Sequence, residues 1–110
     1  MSEESAESVA DAMFALSTPS RVQILVCLLD GPRTVSDLME ALGMEQSAVS
    51  HQLRVLREQR LVSAERAGRM RVYALYDDDV VALLESALRH VERRARAAQR
   101  LTGRLKRSSA

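Results

Sequence analysis

Three observations predict a mainly α-helical domain carrying one small β-hairpin. Apolar residues recur at helical spacing through most of the chain, the period switches to two between Val62 and Tyr76, and short breaks containing glycine or proline separate the periodic runs. The predicted order is α-α-α-α-β-β-α.

A first helix is predicted from Glu4 to Leu16, where Val9, Met13 and Leu16 form one stripe with Ala6 and Ala10 as small neighbours. A helix of this length is marginal alone and needs a partner. Thr18 followed by Pro19 reads as an N-cap with proline at the first helical position, opening a second helix through Leu29 that Asp30-Gly31-Pro32 stops. That helix is apolar nearly all round, as an enclosed helix is, and Cys27 reads there as a small buried hydrophobe. Next, "TVSD" is a capping box with Asp37 in place of the usual Glu or Gln. Val35, Leu38, Met39 and Leu42 supply the buried side, and Gly43 ends the helix. The fourth helix follows from Gln46 to Gln59, with Val49, Leu53 and Leu56 at the i, i+4, i+7 spacing of a buried stripe. Two short helices joined by a tight glycine-containing turn make residues 34–59 a helix-turn-helix candidate.

Residues 62–76 read as a hairpin centred on Ala67-Gly68-Arg69, with Arg66, Arg69 and Arg71 at its tip. Alternation places Val62, Ala64, Met70, Val72 and Ala74 on one face and Ser63, Glu65, Arg71 and Tyr73 on the other. A long last helix is predicted from Asp78 to 105, striped by Val80, Leu84, Ala87, Val91, Ala98, Leu101 and Leu105. Its first half should pack, and the turns from Gly103 should fray. A helix-turn-helix directly before a basic hairpin is a winged helix-turn-helix, here a single domain spanning residues 1–110.

Composition narrows the function. Net charge is only +1, but the first eleven residues hold four acids and no base, whereas Arg89 to Arg107 holds eight bases against Glu92. One cysteine and two histidines exclude a disulfide framework and zinc-finger spacing. No apolar run approaches the roughly 20 residues that cross a bilayer, and the N-terminus is acidic where a secretory signal is basic. A cytoplasmic protein without a membrane partner is expected. Without a glycine-rich phosphate loop or a nucleophile–base–acid set, catalysis is not expected. A chain this small hides a modest share of its surface, which favours a dimer with a shared core, and the apolar stripes of residues 1–16 and 78–105 are left without partners.

The fourth helix carries Gln46, Ser47, Ser50, His51 and Arg54 away from its apolar stripe. In a major groove, Gln can bond adenine and Arg guanine in bidentate fashion, Ser can serve either, and His51 can donate to a phosphate or base edge. Arg66, Arg69 and Arg71 would reach the adjacent backbone or minor groove, adding affinity and salt dependence. The predicted partner is double-stranded DNA. The bland alternative is that these side chains merely solvate an ordinary surface helix; a second is a winged-helix interaction protein, in which the polar fourth helix docks a protein co-regulator and no metal is sensed.

At these residues the sequence resembles the ArsR/SmtB family of winged-helix transcriptional regulators. "LSTPSRVQILVCLLDGPRTVSDL", "QSAVSHQLRVLREQRLV" and "RVYALYDDDVVALLESALRHV" follow the family's pattern from about Phe14 to Val91. The resemblance implies a repressor, homodimeric through its first and last helices, on a two-fold operator. Members often release DNA on binding a metal ion. The thiolate site of some members needs Cys-x-Cys at the start of the third helix, where this chain reads "TVSDL". For the other known site, on the last helices of two subunits, the matching positions are Asp77, Asp79, His90 and Arg93. Asp79 stands for a histidine and can coordinate through oxygen, whereas Arg93 cannot coordinate. Asp77, Asp79 and His90 are therefore the metal candidates, suited to Ni(II), Co(II) or Zn(II). The competing reading of the aspartates is a helix N-cap with acids at the positive end of the dipole. The basic tail reads as a solvated helical face or a further nucleic-acid contact.

Overall fold

The computed structural model describes residues 1–108. Among them are five helices and one two-stranded antiparallel hairpin: α1 (Glu3–Ala15), α2 (Pro19–Leu28), α3 (Val35–Leu42), α4 (Gln46–Glu58), β1 (Val62–Ala67), β2 (Met70–Leu75) and α5 (Asp78–Ser108). The order is the one the sequence predicts.

Local chemistry explains most boundaries. Ser2 caps α1, its hydroxyl accepting from the Ser5 amide at 3.1 Å. At α3 the capping box is complete: the Asp37 amide donates to Thr34 Oγ1 at 3.1 Å and the Thr34 amide donates to the Asp37 carboxylate at 2.9 Å. Gly43, at φ 65°, closes α3 in the left-handed conformation that a side chain would resist. Thr18 occupies the cap position of α2 with Pro19 behind it, but its hydroxyl is buried and unpaired, so only its carbonyl caps, accepting from the Val22 amide at 3.1 Å.

The core lies where α2, α3 and α4 meet. Ile24, Leu25, Leu38, Val49, Leu53 and Leu56 are fully enclosed, and Leu61, Val62, Tyr73, Val80 and Leu84 extend this cluster under the hairpin and the start of α5. Cys27 is half-buried at its edge.

Two sequence expectations are corrected. The hairpin turn holds two residues, Gly68-Arg69, because Ala67 pairs with Met70. Gly68 has φ 64° and Arg69 does not have positive φ, the pattern of a type II′ turn. The predicted centre on Gly68 shifts the register by one, and a one-residue shift exchanges the faces of β2. Directly opposed residues share a face, so Tyr73 and Leu75 join Ala64 and Val62, while Met70, Val72 and Ala74 turn to the other side. The main chain of Arg33 extends the sheet, its amide donating to the Tyr73 carbonyl at 2.9 Å and its carbonyl accepting from the Tyr73 amide at 2.8 Å.

The second correction concerns α5, which continues through Gly103 to Ser108. Within the chain, its packing is confined to the beginning: Val80 and Leu84 are buried, but Val91, Leu101 and Leu105 are more than half exposed. The α1 stripe is likewise open, with only Ala15 of that helix buried and Phe14 73% exposed.

Candidate nucleic-acid interface

Burying Val49, Leu53 and Leu56 against α2 and α3 leaves the opposite face of α4 in solvent. Gln46, Ser47, Ser50, His51 and Arg54 are all exposed on it. Gln46 and Ser47 form the first turn, the part of a recognition helix that reaches base edges. The helix is polar on this side and solvent covers it, so its hydrogen-bonding atoms remain available to a ligand.

The hairpin adds a second wall. Because of its register, Arg71 shares a face with Tyr73 and closes a concave cleft of about 540 Å³ with Ser50, Arg54, Arg57, Glu58 and Tyr73. The structure thus joins three of the predicted residues, Ser50, Arg54 and Arg71, in one cleft between helix and wing. It also adds Arg57, which the sequence reading missed although it stands three residues after Arg54 and so lies on nearly the same face. Arg66 and Arg69 do not line the cleft; both are exposed at the far end of the wing. Arg66 and Arg71 are directly opposed across the strands, and like charges so placed repel unless an anion lies between or near them. A cleft of arginines flanked by a polar helix can hold a nucleic-acid backbone while the helix meets base edges.

The metal candidates lie apart from this face. Asp77 is the N-cap of α5, its Oδ1 accepting from the Val80 amide at 3.0 Å, so the capping reading of the aspartates holds. Asp79 and His90 are exposed on α5 and separated by about 16 Å of helix rise. Among the described residues no three His, Cys, Asp or Glu side chains converge on a point that could hold a metal ion. Within one chain, Asp79 and His90 are thus too far apart to share a metal ion.

A small helical body, an exposed helix after a tight turn and a basic hairpin beside it define a winged-helix DNA-binding protein. The family described as "Bacterial regulatory protein, arsR family" matches residues 18–64. The transcriptional regulator NmtR of Mycobacterium tuberculosis is 57% identical over 89 residues, covering 81% of this chain and 74% of NmtR. A transcriptional repressor SmtB homolog of Synechocystis is 40% identical, covering 84% of this chain and 70% of that protein. The solution structure of apo-NmtR superposes with a TM-score of 0.72 at 55% identity, covering 84% of this chain and 78% of that one. The homodimeric winged helix-turn-helix DNA-binding domain Mb0332 of Mycobacterium bovis does so with a TM-score of 0.80 at 30% identity, covering 86% and 91%. The chain belongs to the ArsR family of bacterial regulatory proteins and is a DNA-binding transcriptional regulator.

Proposed function

We propose that the chain is a homodimeric repressor that binds a two-fold operator and releases it on binding a divalent metal ion such as Ni(II), Co(II) or Zn(II). The observation that carries the DNA contact is the exposed polar face of α4 beside the arginine cleft. Gln46, Ser47, Ser50, His51 and Arg54 would meet base edges, and Arg66, Arg69 and Arg71 the flanking backbone. Dimerisation is supported by the exposed apolar residues of the first and last helices: Val9, Met13 and Phe14 on α1, Leu83, Val91, Leu101 and Leu105 on α5. Pairing these faces about a two-fold axis would set two α4 helices about 34 Å apart, one turn of DNA. The solved relative Mb0332 is described as homodimeric. The alternative, an interaction protein under a protein co-regulator, draws no support from relatives named as transcriptional regulators.

The metal reading rests on donor chemistry. Asp77, Asp79 and His90 offer oxygen and imidazole donors suited to Ni(II), Co(II) or Zn(II). A carboxylate has two oxygens, so Asp77 can cap α5 and still ligate. Arg93, at the fourth position, contributes charge that opposes a cation. A metal that binds one arrangement of two α5 helices better than another shifts the dimer toward it, and only that difference can alter DNA binding. The structure of NmtR is described as its apo form, a term for a protein without its ligand.

Fluorescence anisotropy of a labelled duplex, selected by the protein from a random pool, tests the reading. Binding should weaken when Ni(II), Co(II) or Zn(II) is added, and His90→Ala should bind DNA normally but no longer respond. Unchanged binding at saturating concentrations of all three metals would refute metal release.

A further inference from the structure

We infer that Arg21 and Gln52 are positioning residues that fix the angle between α1 and the recognition helix, and so set the half-site spacing the dimer accepts. Arg21 is the charged side chain among the buried residues, only 8% exposed. Its guanidinium reaches in two directions: Nη2 donates to the Phe14 carbonyl at 3.3 Å, and Nη1 to Gln52 Oε1 at 3.4 Å. Gln52 is anchored in turn, its Nε2 donating to Ser20 Oγ at 3.2 Å. One planar fork therefore ties the end of α1 to α4, with α2 holding both partners.

The chemistry at the Phe14 carbonyl is apt. It lies at the C-terminal end of α1, where the helix dipole is negative, and α1 has no basic residue in its last turn. Arg21 supplies that cation from the next helix. The three bonds are long and individually weak. Their importance is geometric, because a guanidinium holds two acceptors at a fixed separation as an ammonium cannot. Apart from this fork, α1 has little hold on the body, since Ala15 is its one buried residue.

This inference rests on the dimeric DNA-binding reading above. If α1 belongs to the dimer seam, a change in its angle to α4 is doubled across the two-fold axis and moves the recognition helices relative to each other. Neither Arg21 nor Gln52 need touch DNA for that. Gln52 is half-buried, on the side of α4 away from Ser47, Ser50 and Arg54.

The test uses the full chain and duplexes carrying two copies of a half-site, selected by the protein from a random pool, with centres about 8 to 13 base pairs apart. Wild type should prefer one spacing by about tenfold or more. Arg21→Lys keeps the charge but not the fork, and Gln52→Met keeps the volume and helix propensity. Each should keep the dimer mass and a Tm near wild type, yet show a spacing profile flattened to within about threefold. Affinity reduced equally at every spacing, or an unaltered profile, would overturn the inference. Wild-type protein without any spacing preference would instead overturn the dimeric reading, and this inference with it. Should Arg21→Lys fail to fold, the spacing profile of Gln52→Met alone separates these outcomes.

Discussion

Asp37 shows how one side chain can define an element and also make it sensitive to acid. Its carboxylate is held below the ordinary value of 3.8, chiefly by the Thr34 amide and then by the Thr34 hydroxyl. A carboxyl whose folded pKa is depressed stabilises the fold above its unfolded pKa, and the contribution is lost as pH falls through the folded value. Wild type should therefore lose stability below about pH 4 more steeply than Asp37→Asn. Urea midpoints between pH 3 and 6 would show it, and parallel pH profiles would contradict the assignment. The same box was legible in "TVSD" because capping is local, and all five polar residues predicted on the fourth helix are exposed because the stripe opposite them is unambiguous. Arg21 and Gln52 left no such trace. Their contact spans 31 residues of sequence and depends on how three helices pack.

At the scale of elements, the helices were readable from spacing and caps, but the wing only in part. "MRVYALY" is apolar on both faces, so alternation alone does not choose between them, and the turn length decides. The Gly68-Arg69 turn brings Tyr73 into the core and Arg71 into the cleft. The bridge at Arg33 has no counterpart in the sequence pattern, because a single bridge residue has no period. A different feature joins α4 to the wing: Arg60 adopts φ 54°, a left-handed conformation that costs a side chain roughly 1 kcal/mol. It follows the C-cap Gln59, and the Leu61 amide returns to the Leu56 carbonyl at 2.9 Å, closing the end of α4. Arg60→Gly should therefore raise stability by about 0.5 kcal/mol after the greater freedom of the unfolded chain is counted, whereas Arg60→Val should lower it by about 1 kcal/mol or more. Thermal melts of the two variants would check this; a destabilised glycine variant would mean that the arginine side chain has a contact of its own.

The molecule as a whole is extended for its size. Its radius of gyration is 17.8 Å and its extents are 63 × 42 × 23 Å, against a radius of about 13 Å for a compact chain of this length. The excess comes from α5, whose 31 residues run for about 46 Å while only its first turns pack on the body. An amphipathic helix with Val91, Leu101 and Leu105 in solvent is incomplete alone, and the open apolar side of α1 is in the same condition. Both were visible as stripes without partners, although the sequence did not reveal how little of α5 the body would cover or that Phe14 would be so exposed. Val91→Glu should convert the dimer to a monomer at micromolar concentration and lower operator affinity by at least about a hundredfold, since half the contacts are then lost. Sedimentation velocity with a binding titration would show this, and a dimer of undiminished affinity would remove α5 from the interface. No helix among the described residues is long and apolar enough to cross a membrane.

In the proposed complex the exposed face of α4 chooses the sequence while the arginines of the wing supply attraction to the backbone. The most direct test of this division compares affinity for the selected duplex and for a scrambled one over a salt series, in wild type and in Gln46→Ala/Arg54→Ala. Wild type should favour the selected duplex by about a thousandfold or more. The double variant should lose at least about tenfold of that preference, while the salt slope of its binding to scrambled DNA falls by no more than about one, the share of Arg54. A double variant that keeps the full preference would show that another surface reads the DNA.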